Sequence, residues 1–75
     1  MPHAPARIRP LHQNPKAVLR RRLLARLEQA EVAERAQISP SHMSKIETGA
    51  RSASVDVLHR LAIALECTVE ELIAE

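Results

Sequence analysis

Ser41, His42, Ser44 and Lys45 carry two hydroxyls, an imidazole and an ammonium within five consecutive positions. Those groups suit hydrogen bonding to base edges and phosphate oxygens. Their neighbours are apolar. Val32, Ala36, Ile38, Met43 and Ile46 form the inner seam of two short helices joined by a tight turn. Ala33 falls where the second helix must come near, so only a small side chain fits there. Ser39 and Pro40 open the second helix as N-cap and first helical residue. The polar residues are then left on its outer side. This spacing lets two short helices cross closely and offers the second to a groove.

The rest of the chain must hold that pair of helices in place. Asn14-Pro15 starts a first helix running to about Arg26, with Leu19, Leu23 and Leu27 at four-residue spacing. Its consecutive arginines, Arg20, Arg21 and Arg22, cannot share a direction, so at least one packs its stem against the protein. A second helix covers about Gln29 to Ala36 and a third about Pro40 to Glu47, with Gly49 as its stop. Ser54 caps a fourth helix whose Leu58, Leu61, Ala62 and Leu65 make an apolar stripe. Thr68 to Glu71 is a capping box for a short fifth helix ending near Ala74. Strand signals and internal repeats are missing, so the fold class is all-α, a compact five-helix domain. Residues 1–13, with Pro2, Pro5 and Pro10 among basic residues, read as a flexible basic N-terminal arm, and residues 14–75 as the domain.

Composition narrows the function. The chain has 75 residues and no Phe, Tyr or Trp, which leaves one small aliphatic core and no platforms for stacking unpaired bases. A large aromatic-lined cofactor pocket is equally out of reach. Residues 1–26 carry Arg7, Arg9, Lys16, Arg20, Arg21, Arg22 and Arg26 with no acid, while all nine acids lie further on. The net charge of +2 therefore hides a basic half suited to phosphate and an acidic half. Cys67 stands alone as a small core hydrophobe, which excludes a disulfide within the chain. His3, His12, His42 and His59 share no metal-ligand spacing with one another or with Cys67. A Ser/His/Asp arrangement beside a Gly-rich elbow is also missing. The expectation is no enzyme, no cofactor, no metal, no membrane segment and a cytoplasmic location near the nucleoid.

The matching text is Leu27-x-Gln-x-Glu-Val-Ala-Glu-Arg-Ala, then Ile-Ser-x-Ser-x-Met-Ser-Lys-Ile-Glu-x-Gly-x-Arg, then Ser54-Val-Asp-Val-Leu and Leu61-Ala-x-Ala-Leu, closing on Val69-Glu-Glu-Leu72. With it, positions 27–72 resemble the Cro/phage-repressor class of helix-turn-helix proteins, the xenobiotic response element family. The resemblance implies a lambda-repressor-like fold binding double-stranded DNA. It makes Gln29 a phosphate ligand beside the helix-two N-terminus, and sets Pro40, Ser41, Ser44 and Lys45 against base edges. Ser39 and His42 become flanking backbone contacts, and Thr48 and Arg51 part of a loop reaching phosphate or minor groove. It also implies an ion pair between Arg22 and Glu47. Four positions depart from the pattern: Gln37 and Glu66 stand for glycines, Ala53 for a proline and Arg21 for a core leucine.

Lys45 is the best reader of a base, as Lys or Arg to guanine is the commonest specific contact, with phosphate as its other role. Pro40 and Ser41 offer only a methyl contact and one hydroxyl, so groove shape and dimer spacing carry much of the specificity. Arg7 and Arg9 either track a minor groove or attract phosphate generically. The resulting expectation is a sequence-specific transcriptional regulator, of repressor type, that binds as a homodimer and has room for a protein partner or anti-repressor. The alternative is an antitoxin-like partner-binding protein of the same fold that also binds its own promoter. Ile63 is either ordinary exposed surface or part of a dimer face with Leu72 and Ile73.

Overall fold

The structure, a computed structural model, describes residues 11–73. Five helices follow in order: α1 (Pro15–Leu24), α2 (Gln29–Ala36), α3 (Pro40–Thr48), α4 (Val55–Leu65) and α5 (Glu70–Ile73). The described residues contain no strand. The all-α expectation and the helix order hold, and the expected end near Ala74 lies outside the described residues.

Each helix start has a side chain that takes up backbone N–H groups otherwise left open. Asn14 accepts from the amides of Lys16 and Ala17, Ser39 from His42 and Ser54 from Val57. Glu28 and Glu31 form a reciprocal box at α2, and Thr68 and Glu71 do the same at α5.

The helix ends share one device. The amide of Leu27 reaches Arg22 O, that of Ile38 reaches Ala33 O and that of Cys67 reaches Ala62 O, at 3.2, 2.9 and 2.9 Å. The residue before each, Arg26, Gln37 and Glu66, takes positive φ near 60°, and the apolar residue itself packs on the core. This is the Schellman closure with its apolar contact, made without glycine at a cost of about 1 kcal/mol per position. Gln37 and Glu66 thus keep the left-handed turn that their family counterparts take as glycine. Gly49, which ends α3 at φ 83°, has a second constraint: a Cβ there would lie 3.3 Å from Cγ of Pro15.

Met43, Ile46, Leu61, Leu72, Val18 and Val32 are the largest fully buried side chains. Ala33 is buried where α2 meets α3, and Leu58, Leu61, Ala62 and Leu65 line the inner side of α4. The expectation for α1 needs correction. Its inner face is Ala17 and Val18, whereas Leu23 is 59% exposed. The reason lies one turn further on: Arg21 and Arg22, four residues after Ala17 and Val18, complete that face by bonding carboxylates on α5 and α3. The helix thus turns Ala17, Val18 and the two arginines toward the rest of the protein and leaves Leu23 outside. Leu72 is also corrected, because full burial removes it from any dimer face, while Ile63 is 77% exposed.

Candidate nucleic-acid interface

Helix α3 is pinned from within. Arg22 donates from Nε to Oε2 of Glu47 at 2.6 Å and from Nη2 to Oε1 at 3.2 Å. Its Nη1 donates to Leu27 O at 3.0 Å, closing the α1–α2 turn. Gln29 adds a third bond, Nε2 to Oε1 of Glu47 at 2.8 Å. The two charged side chains are only 14% and 4% exposed, so one carboxylate ties α1, α2 and α3 together in a dry setting. The pair implied by resemblance is present and larger than expected.

Burying Glu47 has an electrostatic consequence. It is the sole acid between Gln37 and Val55, so the exposed surface of that stretch carries Lys45, Arg51 and no carboxylate. Ser41, Ser44, Lys45 and Thr48 follow an i, i+3, i+4, i+7 stripe on the outer side of α3, opposite Met43 and Ile46. Pro40 and Ser41 are exposed at its tip, Ser44 is half-buried and Lys45 is exposed. Ser39 uses its oxygen to cap His42 N at 3.0 Å and keeps its hydroxyl proton for an outside acceptor.

His42 is half-buried, and its Nε2 has no hydrogen-bond partner among the described residues. Burial holds its imidazole below the ordinary value, and the cations Arg51, Lys45 and Arg60 push in the same direction. It is therefore neutral at pH 7. Cys67 is half-buried against the core and burial raises its thiol pKa, an unreactive setting.

Two candidates are more constrained than their sequence positions suggest. Gln29 is half-buried and already committed by one amide proton to Glu47, leaving the other for phosphate. The α2 N-terminus beside it is occupied by its own acids, since Glu28 N donates to Glu31 Oε1 at 2.9 Å within the reciprocal box. Those carboxylates oppose a phosphate there. Thr48 gives its hydroxyl proton to Lys45 O at 3.2 Å and shapes the turn after α3. Arg51, by contrast, is exposed on that turn with its amide bonded to Lys45 O.

The segment before α1 contributes what the sequence did not suggest. Gln13 is 3% exposed and bonds the backbone of Ile46, Arg51 and Ala53. His12 bonds Ser52 Oγ through its amide and Ala53 O through Nδ1. Of the expected arm of residues 1–13, His12 and Gln13 belong to the folded body, and residues 1–10 lie outside the described residues. Arg7 and Arg9 lie outside the described residues. No helix among the described residues is long and apolar enough to cross a membrane, and no group of His, Cys, Asp and Glu could hold a metal ion.

Five capped helices with a pinned, outward-polar third helix define a lambda-repressor-like helix-turn-helix class. The helix-turn-helix domain family matches residues 17–74, so the chain belongs to that family, and its relatives in fold are of the Cro/phage-repressor type. The restriction-modification controller protein C.AhdI from Aeromonas hydrophila is similar at 25% identity, with 79% of this chain and 89% of that one covered and a TM-score of 0.76. The clp gene regulator ClgR from C. glutamicum is similar at 26% identity, with 84% of each chain covered and a TM-score of 0.74. The P22 c2 repressor, solved in complex with a synthetic operator, shares the fold at 21% identity, covering 88% and 97%, with a TM-score of 0.76. No curated protein matches the sequence.

Proposed function

We propose that the protein is a sequence-specific, double-stranded DNA-binding transcriptional regulator, a repressor acting in the cytoplasm as a homodimer. The observation that carries the reading is the outer stripe of α3, where Ser41, Ser44 and Lys45 belong to a stretch, residues 38–54, whose single acid, Glu47, is buried behind them. A B-form major groove, about 12 Å wide, admits such a helix. Lys45 takes guanine or phosphate, Ser41 and Ser44 add hydroxyl bonds, and Pro40 offers a thymine-methyl contact. Ser39, His42 and Arg51 meet the flanking backbone, with Gln29 and Thr48 as weaker contributors for the reasons above. The similarity to known regulators, one of them solved on an operator, supports the same docking.

One copy offers few base contacts, so two copies on a near-palindromic site, about 34 Å apart, give the needed affinity. Selection of bound duplexes from a random pool tests this. Enrichment of two half-sites one helical turn apart is expected, and enrichment of no sequence contradicts it. The antitoxin-like alternative rests on Ile63, exposed on α4 with Glu66 three residues on. A gene for a small basic protein next to this one, whose product binds through Ile63, would favour that reading.

A further inference from the structure

We infer that Gln13 is the positioning residue that sets where Arg51 meets phosphate, an inference that rests on the DNA-binding reading. Its side-chain amide is nearly sealed from solvent, a costly place for a polar group unless every valence is used. Here both Nε2 protons are donated and the oxygen accepts a bond. Nε2 donates to Ile46 O at 3.1 Å and to Arg51 O at 2.9 Å, and Oε1 accepts from Ala53 N at 2.9 Å.

One planar group thus fixes three backbone points: the last turn of α3, the residue bearing the exposed cation, and the residue before the α4 cap. Ile46 O belongs to the last turn of α3, where carbonyls lack helical partners, so Gln13 also finishes the helix. Ties to the 50–53 loop from α3 itself are longer, namely Arg51 N to Lys45 O at 3.3 Å and Ala50 N to Thr48 Oγ1 at 3.4 Å. His12 reinforces the clamp at Ser52 and Ala53, and Asn14 N bonds Leu72 O at 2.8 Å. The 12–14 strap therefore spans from the exit of α3 to α5. Methionine at 13 keeps the shape and loses all three bonds; glutamate keeps the acceptor and loses both donors.

The test is a double-mutant cycle on a selected duplex, with amide hydrogen exchange on the free protein. In the wild-type background, Arg51→Ala weakens binding roughly tenfold, the worth of one charge-assisted hydrogen bond, and lowers the salt slope by about 0.9. In the Gln13→Met background the same change costs less than about twofold, while Lys45→Ala keeps its full penalty in both. General loosening of the fold would not select Arg51 over Lys45. Exchange at the Ala53 amide rises more than about tenfold in Gln13→Met, the loss of one satisfied buried bond. Gln13→Glu runs through the same cycle should methionine fail to fold. An Arg51 penalty equal in both backgrounds, or an Ala53 amide that exchanges unchanged in Gln13→Met, overturns the inference alone. A wild-type protein with no duplex preference overturns the DNA-binding reading and the inference with it, and the exchange data then still report whether the loop is anchored.

Discussion

On the inner side of α3, Glu47 accepts three side-chain hydrogen bonds from two other segments, and Met43 and Ile46 are fully buried. On the outer side, the side chains of Ser41, Ser44 and Lys45 make no hydrogen bond within the protein among the described residues. Stability and, on the proposed reading, recognition are thereby written on opposite faces of one nine-residue helix. A helix held rigidly from behind can present unpaired polar groups in front with little further loss of side-chain and backbone freedom on binding.

The sharpest way to break this division is Glu47→Ala. It strands Arg22 in a dry site and should lower unfolding free energy by about 3–5 kcal/mol, read as a urea midpoint shift at constant slope. Replacing Arg22 and Glu47 together by leucine should restore most of that loss, since the pair itself roughly breaks even against apolar packing. A loss below about 1 kcal/mol in the single variant would show that the inner face is not the stabilising one.

Gln37→Gly acts in the turn between α2 and α3 and relieves a left-handed non-glycine residue. A gain of about 1 kcal/mol is expected, near 4–8 °C in melting temperature for a domain of this size, with duplex affinity unchanged. Glu28→Ser exchanges one cap for another and removes a carboxylate from the α2 N-terminus. Low-salt affinity should rise about two- to fivefold, the worth of a like charge at a helix start. Unchanged affinity in a titration would place phosphate away from Gln29.

The smallest effect concerns His42. Its folded-state pKa is depressed, chiefly by burial, so the unfolded chain binds the proton more tightly. The contribution is intact above the ordinary value near 6.5 and is lost as pH falls below it toward the folded value. Urea midpoints of wild type and His42→Gln should run parallel above pH 7 and diverge below pH about 6, wild type falling faster. Parallel curves throughout would deny that burial.

Much of this was legible in the residues. Caps at Asn14, Ser39 and Ser54, the Thr68–Glu71 box and the α4 stripe depend on neighbours a turn or less away, and all appear as read. Helix α1 was misread because Leu19, Leu23 and Leu27 share a period, but orientation was decided by carboxylates on distant helices, Glu71 and Glu47. Gln13 was invisible for a related reason. A single polar residue beside prolines has no periodicity, and its partners lie 33 to 40 positions away. Ala53 was the available clue: a residue with a backbone N–H, where resemblance leads one to expect proline, needs an acceptor, and Gln13 supplies it. On the outer face of α3, side chains were placed by helical spacing alone, and partners could come only by analogy.

The most direct test of the division between faces is the Ser41→Ala/Lys45→Ala double variant, measured for thermal stability and for preference between its selected duplex and a scrambled competitor. Stability should stay within about 0.5 kcal/mol of wild type, as for surface changes generally, while preference falls by at least about tenfold. Full preference retained by a normally folded variant would contradict the account.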